Sequence, residues 1–85
     1  MAKKASRPKV QIMAEMLSLC REPQCKTHVM YKTNLSWKML QKYLIHLESL
    51  GFLEIQQKPR KYVTTQKGLQ FVDRWKGVID LLLPT

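Results

Sequence analysis

Glycine, proline, acidic side chains and cysteine are all scarce in this chain of 85 residues, and each scarcity excludes something. Three Gly and four Pro are too few for a low-complexity or disordered polypeptide, and an apolar content of 45% is that of an ordinary globular domain. The six acidic residues are scattered, with no obvious pair for general acid and base work, and no glycine loop is present to cradle a phosphate. No run approaches the roughly 18 consecutive apolar residues of a membrane span. The opening "MAKKASRPK" has the charged head of a signal peptide, but "VQIMAEMLSLC" after it is interrupted by Gln11 and Glu15 and is amphipathic instead. A chain of this length holds one small domain, with little room to wall off a deep catalytic pocket. The expectation is a cytoplasmic protein that is not an enzyme.

The two cysteines are then expected as reduced thiols. Cys20, Cys25 and His28 do fall at C-x4-C-x2-H spacing, which invites a zinc site. A structural site needs four ligands, the spacing matches no usual finger, and the other histidine, His46, lies in the middle of a helical segment. Cys20 is expected as a small apolar thiol of the core and Cys25 as a loop thiol. A bridge between them belongs only to an oxidising or hyperthermophilic setting. No metal, cofactor or small-molecule ligand is expected.

What the chain has in excess is positive charge. Fifteen Lys and Arg stand against the six acids, for a net charge of +9. That balance says nothing about fold, but it makes a polyanion the obvious partner, because neutralising phosphates releases condensed counterions.

Along the chain, residues 1–7 form a basic arm with Lys3, Lys4 and Arg7, and residues 8–85 form one domain. A first helix is expected from about Pro8 to Cys20, burying Val10, Met13, Leu17 and Cys20 with Met16 alongside. Ser6 is the expected cap, with Pro8 in the first turn. A shorter helix follows, about Lys26 to Lys32, anchored by Val29 and Met30. Ser36 then caps a third helix, ended at Gly51, along which Trp37, Leu40, Tyr43, Leu44, Leu47 and Leu50 make one apolar stripe. "FLEIQQ" and "KYVTT" carry strand-type residues around "KPR", which reads as a hairpin with a basic tip. Thr65 caps a last helix from Gln66 to Leu82 or Leu83, stopped by Pro84. A lone hairpin is marginal and must lean on the helices. The expected fold is mainly α (α+β): a winged helix-turn-helix of three helices, a two-stranded wing and a C-terminal helix.

In a helix-turn-helix the second helix enters the major groove of DNA. On that helix Lys38, Lys42, Ile45 and Ser49 lie opposite the leucine stripe, flanked by Met39, Gln41 and His46. Lys and Gln are residue types that meet guanine and adenine edges, and Lys also contacts phosphates. Ser36 offers a phosphate its amide or hydroxyl. Lys58, Arg60 and Lys61 at the hairpin tip reach for an adjacent backbone or minor groove. Charge on a hairpin edge also guards against edge-to-edge aggregation.

"THVMYKTNLSWKMLQKYLIHLESLGFLE" followed by "KYVTTQKG" resembles the small archaeal winged-helix DNA-binding proteins of about ten kilodaltons, the size of this chain. That family carries a similar "T-x-[IV]-M-Y-x-x-N-L-S-[YW]" stretch, then "Y-L-x-x-L", then "[LT]-T-x-K-G", and the likeness spans roughly residues 8–80. The resemblance implies a double-stranded DNA-binding protein acting as a transcriptional regulator or chromatin-associated protein. It makes the helix from Ser36 the recognition helix, Thr27 to Lys32 the positioning helix and Lys58 to Lys61 the wing. Members often pair through a long C-terminal helix, so a homodimer is implied; the chain given stops at Thr85, which makes a shorter pairing the expectation.

The last helix itself points the same way. Leu69, Phe71, Val72, Trp75, Val78, Ile79, Leu82 and Leu83 form a stripe wider than one contact requires, and Val72, Trp75, Ile79 and Leu82 follow a coiled-coil spacing. Phe71, Trp75, Val78, Ile79, Leu82 and Leu83 are the expected dimer contacts. Gly77 costs a helix roughly 1 kcal/mol but permits close approach of a partner. The competing readings are a winged helix used for protein contact, hinted at by Met39 and Ile45, or for RNA. An RNA binder would free aromatics for stacking, whereas Trp37, Tyr43 and Tyr62 are expected in the core and Tyr31 is ambiguous.

Overall fold

The computed structural model describes residues 8–82; the expected cap at Ser6 lies outside them. Four helices and one hairpin follow in the order α1 (Lys9–Leu19), α2 (Lys26–Thr33), α3 (Trp37–Ser49), β1 (Leu53–Gln56), β2 (Lys61–Thr64) and α4 (Gln66–Leu82). None of the described helices is long and apolar enough to cross a membrane.

Pro8, expected in the first turn behind a Ser6 cap, is itself the N-cap of α1, with extended backbone and no side-chain capping bond. Its carbonyl accepts from the amides of Gln11 and Ile12 at 3.0 and 3.1 Å. The buried face of α1 is Ile12, Met13, Met16, Leu17 and Cys20, joined by Ala14. Val10, expected on that face, is 36% exposed. It sits in the first turn, and Ile12 takes the core position instead.

α2 ends on Asn34, which adopts the left-handed conformation (φ 58°) and donates its amide to the Met30 carbonyl at 2.9 Å. Asn tolerates this region better than most side chains, so the chain turns in three residues and enters α3 at Ser36. The Ser36 hydroxyl accepts from the amide of Met39 at 3.2 Å, satisfying one of the donors a helix start leaves open. At the other end Gly51 takes φ +80°. Its amide donates to Glu48 and that of Phe52 to Leu47, both at 3.0 Å, which is the paired closure of a Schellman motif.

The hairpin pairs antiparallel with Leu53 opposite Thr64 and Ile55 opposite Tyr62. Its inner side, Leu53, Tyr62 and Thr64, is buried. Two connections fasten it to the rest of the domain. Gln24, before α2, exchanges backbone hydrogen bonds with Tyr62 at 2.9 and 2.8 Å. The amide and hydroxyl of Thr64 donate to the carbonyls of Cys20 (2.8 Å) and Leu17 (2.6 Å) at the end of α1. Sequence periodicity gave no sign of the Gln24 bridge, because a single bridging residue has no alternation to read.

Thr65 then caps α4: its hydroxyl accepts from the Gly68 amide at 3.1 Å and donates to the Gly51 carbonyl at 2.6 Å. Gly68 is where α4 crosses the chain leaving α3. A Cβ there would fall against the Phe52 carbonyl oxygen and 2.6 Å from Thr64 Cγ2. One core results, with Leu40, Tyr43, Leu44 and Leu47 of α3 packed among α1, Val29, the hairpin and Val72 of α4.

Candidate nucleic-acid interface

Burying the leucine face of α3 turns its opposite face to solvent. Lys38, Met39, Lys42, Ile45, His46 and Ser49 are exposed, and Gln41 is half-buried. Ser36 is exposed at the helix start. Among the described residues no ion pair or side-chain hydrogen bond engages Lys38, Lys42 or His46, so these side chains are available to a partner.

The structure adds a residue that sequence reasoning missed. Lys9, at the start of α1, joins Met39, Lys42, Tyr43 and His46 around a cavity of about 280 Å3 beside the outward face of α3. More than thirty residues separate Lys9 from Lys42, and nothing in local sequence signals such an approach.

The hairpin tip forms a turn over residues 57–60, with Lys58, Pro59 and Arg60 exposed and Lys61 half-buried at the first position of β2. Lys58 has φ 61°, and its bond to Pro59 is cis. Lys58 and Arg60 are thus exposed at the free end of the hairpin, while the Gln24 and Thr64 contacts hold its base. Lys3, Lys4 and Arg7 lie outside the described residues.

Trp37 and Leu50 depart from the expected stripe. Trp37 is 48% exposed and Leu50 37% exposed. Both lie at ends of the helix, where the core no longer covers the whole apolar arc. Lys26 Nζ sits 4.9 Å from the centre of the Trp37 ring, a cation–π contact that joins the starts of α2 and α3. Tyr31, on α2, is 83% exposed. Tyr43 and Tyr62 are buried, as expected.

Cys20 is enclosed in the core, and burial pushes its thiol up to about 12. Cys25 is exposed at the N-cap of α2. A hydrogen bond with the Thr27 hydroxyl, then one with the His28 backbone, hold its thiol below the ordinary value. Both cysteines are free, and the His28 ring is hydrogen-bonded to the Gln24 side chain. Among the described residues no group of three His, Cys, Asp or Glu stands close enough to hold a metal ion.

Of the expected dimer contacts, Phe71 stacks on Phe52 within the chain, with ring centroids 5.1 Å apart. Trp75 and Ile79 are half-buried, and Val78 and Leu82 are 48% and 68% exposed. Leu81, not singled out in the sequence, is 82% exposed. Leu83 lies outside the described residues.

A three-residue turn between two helices, a capped second helix with a basic outer face and a hairpin fastened beside it define a winged helix-turn-helix. The chain belongs to the winged helix-turn-helix family, whose model matches residues 6–82. Among solved structures it is similar to that of Sso10a-2, a DNA-binding protein from Sulfolobus solfataricus, at 33% identity and a TM-score of 0.76, covering 88% of this chain and 81% of that one. An uncharacterized protein of Methanocaldococcus jannaschii is 35% identical over 63 residues, which is 73% of this chain. The matched segment spans 63% of that curated relative's length.

Proposed function

We propose that this protein binds double-stranded DNA with α3 in the major groove. The observation that carries the reading is the outward face of α3, whose Lys38, Lys42 and His46 side chains make no ion pair or hydrogen bond among the described residues, beside a wing whose tip carries Lys58 and Arg60. Likeness to a DNA-binding winged helix supports it. Lys38, Gln41 and Lys42 face base edges or adjacent phosphates, with Ser36, Met39, Ile45 and His46 around them. Lys58, Arg60 and Lys61 hold backbone on one side, and Lys3, Lys4 and Arg7 of the arm add charge that follows the phosphates. Two copies pair through α4, using Trp75, Val78, Ile79 and Leu82 with Leu83; Phe71 contributes through its stack on Phe52. The role is that of a transcriptional regulator or a chromatin-associated protein, acting on the nucleoid in the cytoplasm.

Titrating selected duplexes against bulk DNA at several salt concentrations tests the reading and separates the two roles, because specificity is a ratio and not a bare affinity. A regulator gives a ratio of about 10³ or more over bulk DNA, and a coating protein one near unity. Absence of duplex binding at low salt would overturn the reading. A second reading, single-stranded nucleic acid or RNA, is favoured by the exposed ring of Tyr31, since free aromatics stack on unpaired bases. Tighter binding of single strands than of duplex, lost in Tyr31→Ala, would favour that alternative.

A further inference from the structure

The outermost line of α3 contains an apolar residue. Leu40, Tyr43, Leu44 and Leu47 define the buried side of the helix. At about 100° per residue, Lys38, Ile45 and Ser49 point directly away from it, with Lys42 next to them. Ile45 is 64% exposed. A single exposed apolar side chain is ordinary on a protein surface. The placement of this one is not: it lies at the border of the lysine line, between Lys38, Ser49 and Lys42 on one side and Gln41 and exposed Glu48 on the other, where Lys, Gln or Glu would serve both water and helix better than a β-branched residue.

A partner for this line must offer negative charge to Lys38 and Lys42 and an apolar spot beside that charge. The major groove of DNA has that layout. Phosphates border it, and the C5 methyl of thymine is the apolar group its base edges present. Lys38 and Lys42 precede Ile45 by seven and three residues, about 10 and 4.5 Å along the axis at 1.5 Å per residue.

We infer that Ile45 is a specificity-determining residue that packs against the thymine C5 methyl, giving the protein a preference for thymine at one position of its site. The inference rests on the duplex-binding reading of α3. Its test uses a short alternating A·T duplex and the same duplex with deoxyuridine at every thymine, which removes the methyls and leaves every phosphate and hydrogen-bonding edge in place.

The native protein binds the deoxyuridine duplex about fourfold more weakly, the ratio that ~0.8 kcal/mol for one buried methyl-sized group gives. The salt slopes on the two duplexes are equal, because the same phosphates are neutralised. In Ile45→Ala the ratio falls to near one, with a melting temperature that is unchanged or slightly raised, because the side chain lies outside the core and Ala favours the helix. Equal affinities for the two duplexes in the native protein would overturn the inference, leaving Ile45 to a protein partner. A preference that persists in Ile45→Ala would also overturn it, assigning the effect to groove shape. Either result leaves duplex binding itself standing, whereas no duplex binding at all sinks both.

Discussion

Two of the glycines make opposite demands, and substituting each gives an opposite result. At Gly68 an added Cβ meets the Phe52 carbonyl and Thr64 Cγ2, both fixed by hairpin and helix-end hydrogen bonds. Gly68→Ala is expected to destabilise the fold by about 2 kcal/mol, as overpacking does, read as a lower denaturation midpoint. At Gly77 nothing lies within 4 Å of an added Cβ. Gly77→Ala is expected to stabilise the isolated chain by up to about 1 kcal/mol through helix propensity. The cysteines are a second contrast. At pH 8 one thiol per folded chain, Cys25, should react with a disulfide reagent, and Cys20 only after unfolding. Because the folded Cys20 thiol ionises only near 12, its contribution to stability is intact below the unfolded value near 9.0 and is lost as pH rises from there toward 12. Fast reaction of both thiols would contradict that placement. Cys20 was legible in the sequence because it falls on the α1 face with Met13 and Leu17. The exposure of Val10 and Trp37 was not, because a residue's place on an arc does not say how far the core extends along the helix.

Helix ends are the most legible elements in the sequence. Ser36, Gly51 and Thr65 carry their conformations in their chemistry: a hydroxyl that accepts a free amide, or a residue without a Cβ. Ser36→Ala is expected to cost about 1 kcal/mol of stability and to loosen the start of α3, measurable by thermal melting. The wing was legible as strand-type residues around a basic turn, but its fastening was not. The Gln24–Tyr62 bridge and the Thr64 bonds to α1 link segments far apart in sequence, so only tertiary packing reveals them. The same reason hid Lys9, which α1 brings beside Lys42 and His46. Arg60→Ala, at the free tip, should weaken duplex affinity without altering stability. A fall in melting temperature in that variant would show that the tip supports the fold instead.

Across the whole molecule the charge is uneven, with fifteen Lys and Arg against six acids. With a net charge of +9 a polyanion is the expected partner, and among the described residues the fold presents lysines and an arginine on an outward helix and a hairpin tip. The proposed pairing rests on α4, whose last turns expose Val78, Leu81 and Leu82 in sequence with half-buried Trp75 and Ile79. Light scattering at roughly micromolar concentration is expected to show a dimer, since Leu, Val and Ile side chains each gain about 1.5–3 kcal/mol when fully covered. Val78→Glu with Leu82→Glu should give a folded monomer. A native chain that is monomeric under those conditions would remove the dimer from the account.

The central claim is that the outward face of α3 meets duplex DNA. Its most direct test is the salt dependence of duplex affinity in the native protein and in the Lys38→Ala/Lys42→Ala double variant. If both lysines neutralise phosphates, the logarithmic salt slope becomes shallower by about two units, and affinity at low salt falls while the melting temperature holds. A double variant with native affinity and native slope would contradict the claim.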